Sequence, residues 1–104
     1  MKLKKGVTPN GLMPQLLLAL MVADQVWADN GQELVVTSLN DSKHSRTSLH
    51  YAGCAADLRT RYFDPDQVET IAELLREALG NCPDYDVVVE SDHIHLEWQP
   101  KRRD

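Results

Sequence analysis

The sequence predicts an α+β domain with a small antiparallel sheet and two main helices. Two segments, 14–28 and 64–79, repeat apolar residues at three- and four-residue spacing, which is typical of amphipathic helices. The runs ELVVTS and YDVVVE are rich in β-branched residues, and HIHLEW alternates polar and apolar residues; both patterns are typical of strands. Helix, strands, helix and strands follow one another, and this order favours an α+β arrangement.

Length and charge limit the possible classes of protein. The 104 residues suffice for one core, so we expect a single domain over residues 1–104. Hydrophobic residues make up 42% and charged residues 26%, as in ordinary globular proteins. The net charge of −5 argues against a nucleic-acid partner, which requires a concentrated positive surface.

The amino-terminal segment admits two interpretations. MKLKK followed by LMPQLLLALMVA is similar to the charged start and apolar middle of a secretory signal. We favour a helix from about Pro14 to Ala28, because proline suits a first helical turn. Its predicted apolar positions are Leu17, Leu18, Met21, Val22 and Val26. No run reaches the roughly 20 apolar residues that a membrane span needs.

The predicted strands are short. The first is a strand or extended arm near Leu3 to Val7, and the second is ELVVTS at 33–38. A third covers Ala55 to Arg59. YDVVVE and HIHLEW meet at Ser91 and Asp92, which indicates either a tight hairpin or a bulged continuous strand.

The second helix has clear boundary signals. Asp64 can cap it, Pro65 suits its first turn, Gln67 occupies the capping-box position, and Gly80 is a stop signal. Its predicted core face consists of Val68, Ile71, Ala72, Leu74, Leu75, Ala78 and Leu79. These are packing residues and not a site.

Two cysteines, Cys54 and Cys82, are too few for a disulfide framework. Their spacing matches neither a zinc knuckle nor a redox pair. We expect both to behave as small buried apolar residues.

Histidines and carboxylates in two segments could bind a metal. His50 and Asp57 flank a run of small residues, and His93 and His95 alternate with apolar neighbours on a predicted strand. Alternation places both histidines on one face of that strand. His50, Asp57 and either His93 or His95 would form three ligands with a fourth position open, as in a catalytic zinc site. Asp92 or Glu90 could then transfer protons.

The segment SLHYAGCAADLR resembles the first signature of the zinc D-Ala-D-Ala carboxypeptidase and L-Ala-D-Glu endopeptidase superfamily. This superfamily includes phage endolysins and the hedgehog amino-terminal domain. The matching positions are Ser48, His50, Gly53, Ala55 and Asp57. The segment ESDHIH resembles the second signature, in which the second histidine of a His-x-His pair binds zinc. The likeness spans about residues 33–98.

This resemblance implies a hedgehog-like peptidase fold and a peptidoglycan stem peptide as the substrate. It implies that His50, Asp57 and His95 bind Zn²⁺, and that His93 stabilises the transition state. The family's usual spacing selects Asp92 as the base, although Glu90 occupies a position that some branches use.

The resemblance also implies a cation upstream of the first zinc histidine. Arg46 and Lys43 are both available for this role, which is to steady the substrate carbonyl or carboxylate. Arg46 offers a planar two-pronged donor, whereas Lys43 offers only a point charge. Glu97 continues the alternation of the histidines, so it could orient a ligand histidine through the free ring nitrogen.

Three functional hypotheses follow from the sequence. The first is an endolysin-like or carboxypeptidase-like zinc enzyme of phage origin. We expect it to be a monomer that stays in the cytoplasm until it is released to the cell wall. The second is a non-catalytic zinc-containing binding module of the same fold, because fold does not determine function. The third is a metal-free structural protein.

Overall fold

The computed structural model describes residues 1–39 and 54–101, which form an α+β fold with a five-stranded mixed sheet and two α-helices. The strands are β1 (Lys2–Leu3), β2 (Val35–Leu39), β3 (Ala55–Arg59), β4 (Tyr85–Val89) and β5 (His93–Trp98). The helices are α1 (Pro14–Asp29) and α2 (Val68–Ala78), and a 3₁₀ turn at Pro65–Gln67 leads into α2.

The sheet is mixed and not purely antiparallel. Its strand order is β1-β2-β3-β5-β4, with β1 and β2 parallel and every other neighbouring pair antiparallel. The chain leaves β1, crosses over through α1 and returns in β2, and such a helical crossover joins parallel strands. The prediction of an antiparallel sheet was therefore wrong for its first strand.

The first strand is also shorter than the predicted segment from Leu3 to Val7. The amide of Lys4 still bonds to the carbonyl of Val36 at 2.9 Å, but the amide of Val7 turns back to the carbonyl of Lys4 at 2.9 Å. Gly6 permits this turn through its φ of +92°. Of the two alternatives at Ser91 and Asp92, the chain forms the tight hairpin, since β4 and β5 pair antiparallel and the amide of Glu90 bonds to the carbonyl of His93 at 2.8 Å.

The helix α1 lies where it was predicted, and of its predicted apolar positions Val26 is buried and Val22 packs in part against the core. Leu17, Leu18 and Met21 are exposed. The buried residues are Leu16, Ala19, Leu20, Ala23, Val26 and Trp27. Most sides of this helix carry apolar residues, so periodicity alone does not select the buried face. The buried face includes two alanines, and their small side chains let the helix approach its neighbours closely. Neither helix of the described chain is long and apolar enough to cross a membrane.

The second helix begins and ends as predicted. The amide of Asp64 bonds to the side chain of Gln67 at 3.3 Å within a capping box. Gly80, with a φ of +74°, follows the last turn. Ile71, Ala72 and Leu75 are buried, whereas Leu74 and Ala78 are exposed, so the true core face is narrower than the predicted one.

The two faces of the sheet have different environments. Both helices cover the face that carries Leu58, Ile94 and Leu96, all of them fully buried. Residues alternate along each strand, so Asp57 and His95 lie on the opposite face. Core packing on one side therefore holds the polar residues of the other side in register.

Cys54 and Cys82, the two cysteines of the sequence, do not form a disulfide. Cys54 is buried, as expected, at 1% exposure. Cys82 is only half-buried, so the expectation for it is not met in full.

Two substitutions in α1 test which face packs. Leu20→Ala removes a side chain that is 1% exposed and should cost about 2–5 kcal/mol of unfolding free energy. Leu18→Ala, in the same helix at 58% exposure, should change it by less than about 0.5 kcal/mol. Urea denaturation followed by tryptophan fluorescence measures both. Equal losses for the two variants would contradict the observed helix face.

Candidate functional site

The centre of the open face is a pair formed by Asp57 of β3 and His95 of β5. The two residues are direct cross-strand partners. His95 Nδ1 lies 2.9 Å from Asp57 Oδ1, a hydrogen-bonding distance. Two positions 38 apart in the sequence therefore meet through strand pairing, and both had been predicted to bind a metal.

The other nitrogen of the His95 ring is also occupied. Nε2 lies 3.0 Å from Glu97 Oε1, and the i, i+2 spacing places both residues on the open face. The predicted contact between Glu97 and a histidine on its strand is thus present. The imidazole of His95 is oriented from both sides by carboxylates.

These carboxylates favour the charged imidazole. The hydrogen bond to Asp57 is the main cause that raises the pKa of His95 to about 9, and the bond to Glu97 acts in the same direction. Partial burial opposes them but does not outweigh them. At neutral pH His95 is therefore an imidazolium that donates both of its N–H groups.

His93 sits on the same face, one pleat nearer to the hairpin. Its Nδ1 donates to Asp92 Oδ1 at 2.7 Å, and its Nε2 lies 3.6 Å from Asp57 Oδ1. The bond from His93 is the main cause that lowers the pKa of Asp92. His93 thus bridges the central aspartate and the carboxylate at the turn.

Backbone contacts hold the turn beside β3. The amide of Thr60, a buried residue, donates to the carbonyl of Asp92 at 3.2 Å and extends the β3–β5 pairing into the hairpin. The side chain of Asp92 lines the same cleft as Asp57 and His93. Glu90 is not among the described residues that line this cleft. Of the two predicted bases, Asp92 is the one beside the histidine pair.

A β-bulge in β2 completes this side of the cleft. The register shifts between Val36 and Ser38, and Ser38 then pairs with Asp57. Thr37 is the additional residue, and its hydroxyl donates to the carbonyl of Asp57 at 3.4 Å. A bulge redirects side chains locally, which explains why both Thr37 and Ser38 face the cleft.

The cleft has a volume of about 250 Å³ and contains cations that the sequence analysis did not assign to a site. They are Lys4, Arg59 and Arg61. Arg59 could have been found from its spacing, because it lies two residues after Asp57 on a predicted strand. Lys4 could not, since only the β1–β2 pairing brings it close.

Three predicted residues lie outside the described part of the chain. These are His50, Arg46 and Lys43. Within residues 1–39 and 54–101, no group of three or more His, Cys, Asp or Glu side chains is placed to hold a metal ion. The described chain therefore brings together two of the three predicted ligands, Asp57 and His95.

Comparisons with known proteins add no family assignment. The chain matches no protein-family model, and no curated protein is significantly similar to it.

The raised pKa of His95 predicts how stability depends on pH. The folded protein binds this proton more tightly than an unfolded chain does, with a pKa of about 9 against 6.5. The stabilisation is therefore complete below pH 6.5 and is lost as the pH rises to about 9. Allowing for solvent screening, we expect a loss on the order of 1–2 kcal/mol.

Urea denaturation in the presence of EDTA, at pH values across this interval, measures the loss. His95→Gln should remove this component, and Glu97→Gln should reduce it, because Glu97 is the weaker of the two partners. The same decline in wild type and His95→Gln would show that another group is responsible.

Proposed function

We propose that the protein is a zinc-dependent peptidase that hydrolyses a peptide bond in peptidoglycan stem peptides. In this proposal the fold is that of the D-Ala-D-Ala carboxypeptidase and hedgehog superfamily. The observation that carries it is the contact between Asp57 and His95, the second and third ligands implied by the two signatures, on adjacent central strands. The support from the signatures is a resemblance in sequence.

The carboxylate of Asp57 and the imidazole of His95 are of the types that bind zinc. Two ligands of a tetrahedral ion, each bonded at about 2.0–2.1 Å, lie about 3.3 Å apart. The Asp57 oxygen lies 2.9 Å from His95 Nδ1, so a small displacement would admit the ion between them. We assign His50, Asp57 and His95 as the ligands. Glu97 would hold the His95 ring so that Nδ1 faces the metal.

Bound zinc would lower the pKa of a water molecule and polarise the substrate carbonyl. The chain's own residues would do the rest of the chemistry. Asp92 accepts a proton from the attacking water and passes it to the leaving amine. The hydrogen bond from His93 lowers the pKa of Asp92, which keeps this carboxylate ionised. His93, hydrogen-bonded to Asp92, would stabilise the oxyanion, with Arg46 or Lys43 as the further donor.

Zinc content tests the ligand set. We expect one zinc ion per chain after reconstitution. Loss of a residue that only hydrogen-bonds to a metal ligand weakens metal affinity by up to about 100-fold. His50→Ala or Asp57→Ala removes a ligand itself and should therefore weaken zinc affinity by more than that. His44→Ala is the matched control, since His44 lies six positions before His50 in the sequence and has no predicted role as a ligand. It should retain full affinity.

Metal analysis and competition with a chromophoric chelator provide both measurements. A wild-type protein that binds no zinc would refute the proposal. Zinc binding without release of D-Ala or of a new amine from purified peptidoglycan would favour the non-catalytic module.

The two candidate bases can be separated by charge-neutralising substitutions of similar size. Asp92→Asn should lower kcat by about 10²- to 10⁴-fold, the usual contribution of a general base, while zinc content is unchanged. Glu90→Gln should leave kcat near the wild-type value, because Glu90 does not line the cleft among the described residues. Amine release from peptidoglycan fragments measures kcat. The reverse pattern would transfer the role to Glu90.

A further inference from the structure

Three cations converge on the cleft beside Asp57 and His93. Lys4 directly follows β1, Arg59 is the last residue of β3, and Arg61 lies in the turn that follows. The whole chain carries a net charge of −5 with 11 basic residues, so three cations in one cleft are a local concentration that runs against the overall charge. The proposed hydrolysis uses none of them.

Within the described chain, no ion pair joins any of these three cations to a carboxylate. Other basic side chains there do have such partners: Arg76 lies 3.5 Å from Glu73, and Lys101 lies 3.2 Å from Asp86. The two carboxylates that share the cleft are occupied with histidines, Asp57 with His95 and Asp92 with His93. The cations therefore retain donors for an external anion.

The strand register sets where such an anion would lie. Arg59 is the direct cross-strand partner of His93, and partners on adjacent strands point to the same face. Across the open face, the carboxylates of Glu97 and Asp86 lie toward β4, whereas the cations lie toward β1. This polarity would orient a bound substrate with its negative end toward β1.

We propose that Lys4, Arg59 and Arg61 bind a carboxylate of the peptide substrate next to the scissile bond. The inference rests on the proposed function and deepens it, because it selects a peptide with a free carboxylate at the cleaved end. Arginine forks match a carboxylate with two parallel hydrogen bonds, and lysine adds a point charge.

The size of the cleft favours a terminal residue over a polymer. Its volume of about 250 Å³ lies just below the range of about 300–1,000 Å³ that is usual for small-molecule sites. That volume holds one end of a peptide. A long phosphate-containing chain would need a continuous basic groove, and the carboxylates on the β4 side of the open face would repel it.

Two probes that differ only in the charged group test the inference. N-acetyl-D-alanine carries a free carboxylate, and N-acetyl-D-alaninamide is its neutral counterpart. We expect the acid to bind the purified protein about tenfold more tightly, as one or two charge-assisted hydrogen bonds allow. An NMR titration measures both affinities, and the amide signals of Arg59 and Arg61 should shift with the acid.

Charge-matched variants assign the effect. Arg59→Gln and Arg61→Gln should each reduce the preference for the acid to near unity, with unchanged zinc content and unchanged thermal unfolding. Arg59→Lys should restore part of it. Lys101→Gln makes the same change in net charge at a position outside the cleft lining, near Asp86, and should keep the full preference.

Equal affinity for the acid and the amide would overturn the inference, as would a preference that survives both arginine substitutions. Inorganic phosphate that binds the cleft more tightly than the acid would also overturn it and indicate a phosphate ligand. The proposed function is tested independently of the anion site. If the protein prefers the acid but binds no zinc, the anion site is supported and the peptidase proposal is refuted. Hydrolysis of the peptide without a preference for the carboxylate would support the peptidase and overturn the anion site.

Discussion

The pairing of β3 with β5 is the constraint on which the rest of the structure depends. One register places Leu58 beside Ile94 in the core and Asp57 beside His95 on the open face. A shift by one residue would turn every side chain of a strand to the other face. The apolar core therefore maintains the polar site, because burial of Leu58, Ile94 and Leu96 excludes the alternative registers.

The same register determines which charged groups meet on the open face of the sheet. Two carboxylates meet the two ring nitrogens of His95 and hold it as a cation, so a metal ion would have to displace the Nδ1 proton. A second carboxylate–histidine pair, Asp92 with His93, lies at the hairpin beside it. The cleft thus contains carboxylates and imidazoles at its centre and, toward β1, cations that no carboxylate of residues 1–39 and 54–101 pairs with.

Strong local signals predicted much of the fold. The boundaries of α2 follow from Asp64, Pro65, Gln67 and Gly80, and the alternation of HIHLEW predicted which face carries the histidines. The buried face of α1 was predicted wrongly at Leu17, Leu18 and Met21, because a helix that is apolar on most sides has no unique apolar stripe. The parallel pairing of β1 was missed because two residues are too short to produce a pattern.

The sequence by itself determined the α+β class and the order of the elements, because composition and periodicity are local properties. Its resemblance to the two signatures selected Asp57, His95 and Asp92 as candidate site residues. The tertiary structure alone decided which distant groups meet. It placed His95 between Asp57 and Glu97, put Asp92 and not Glu90 on the cleft, and brought Lys4 from β1 to the arginines that follow Asp57. Such contacts depend on strand order and register, which arise from packing the whole core at once.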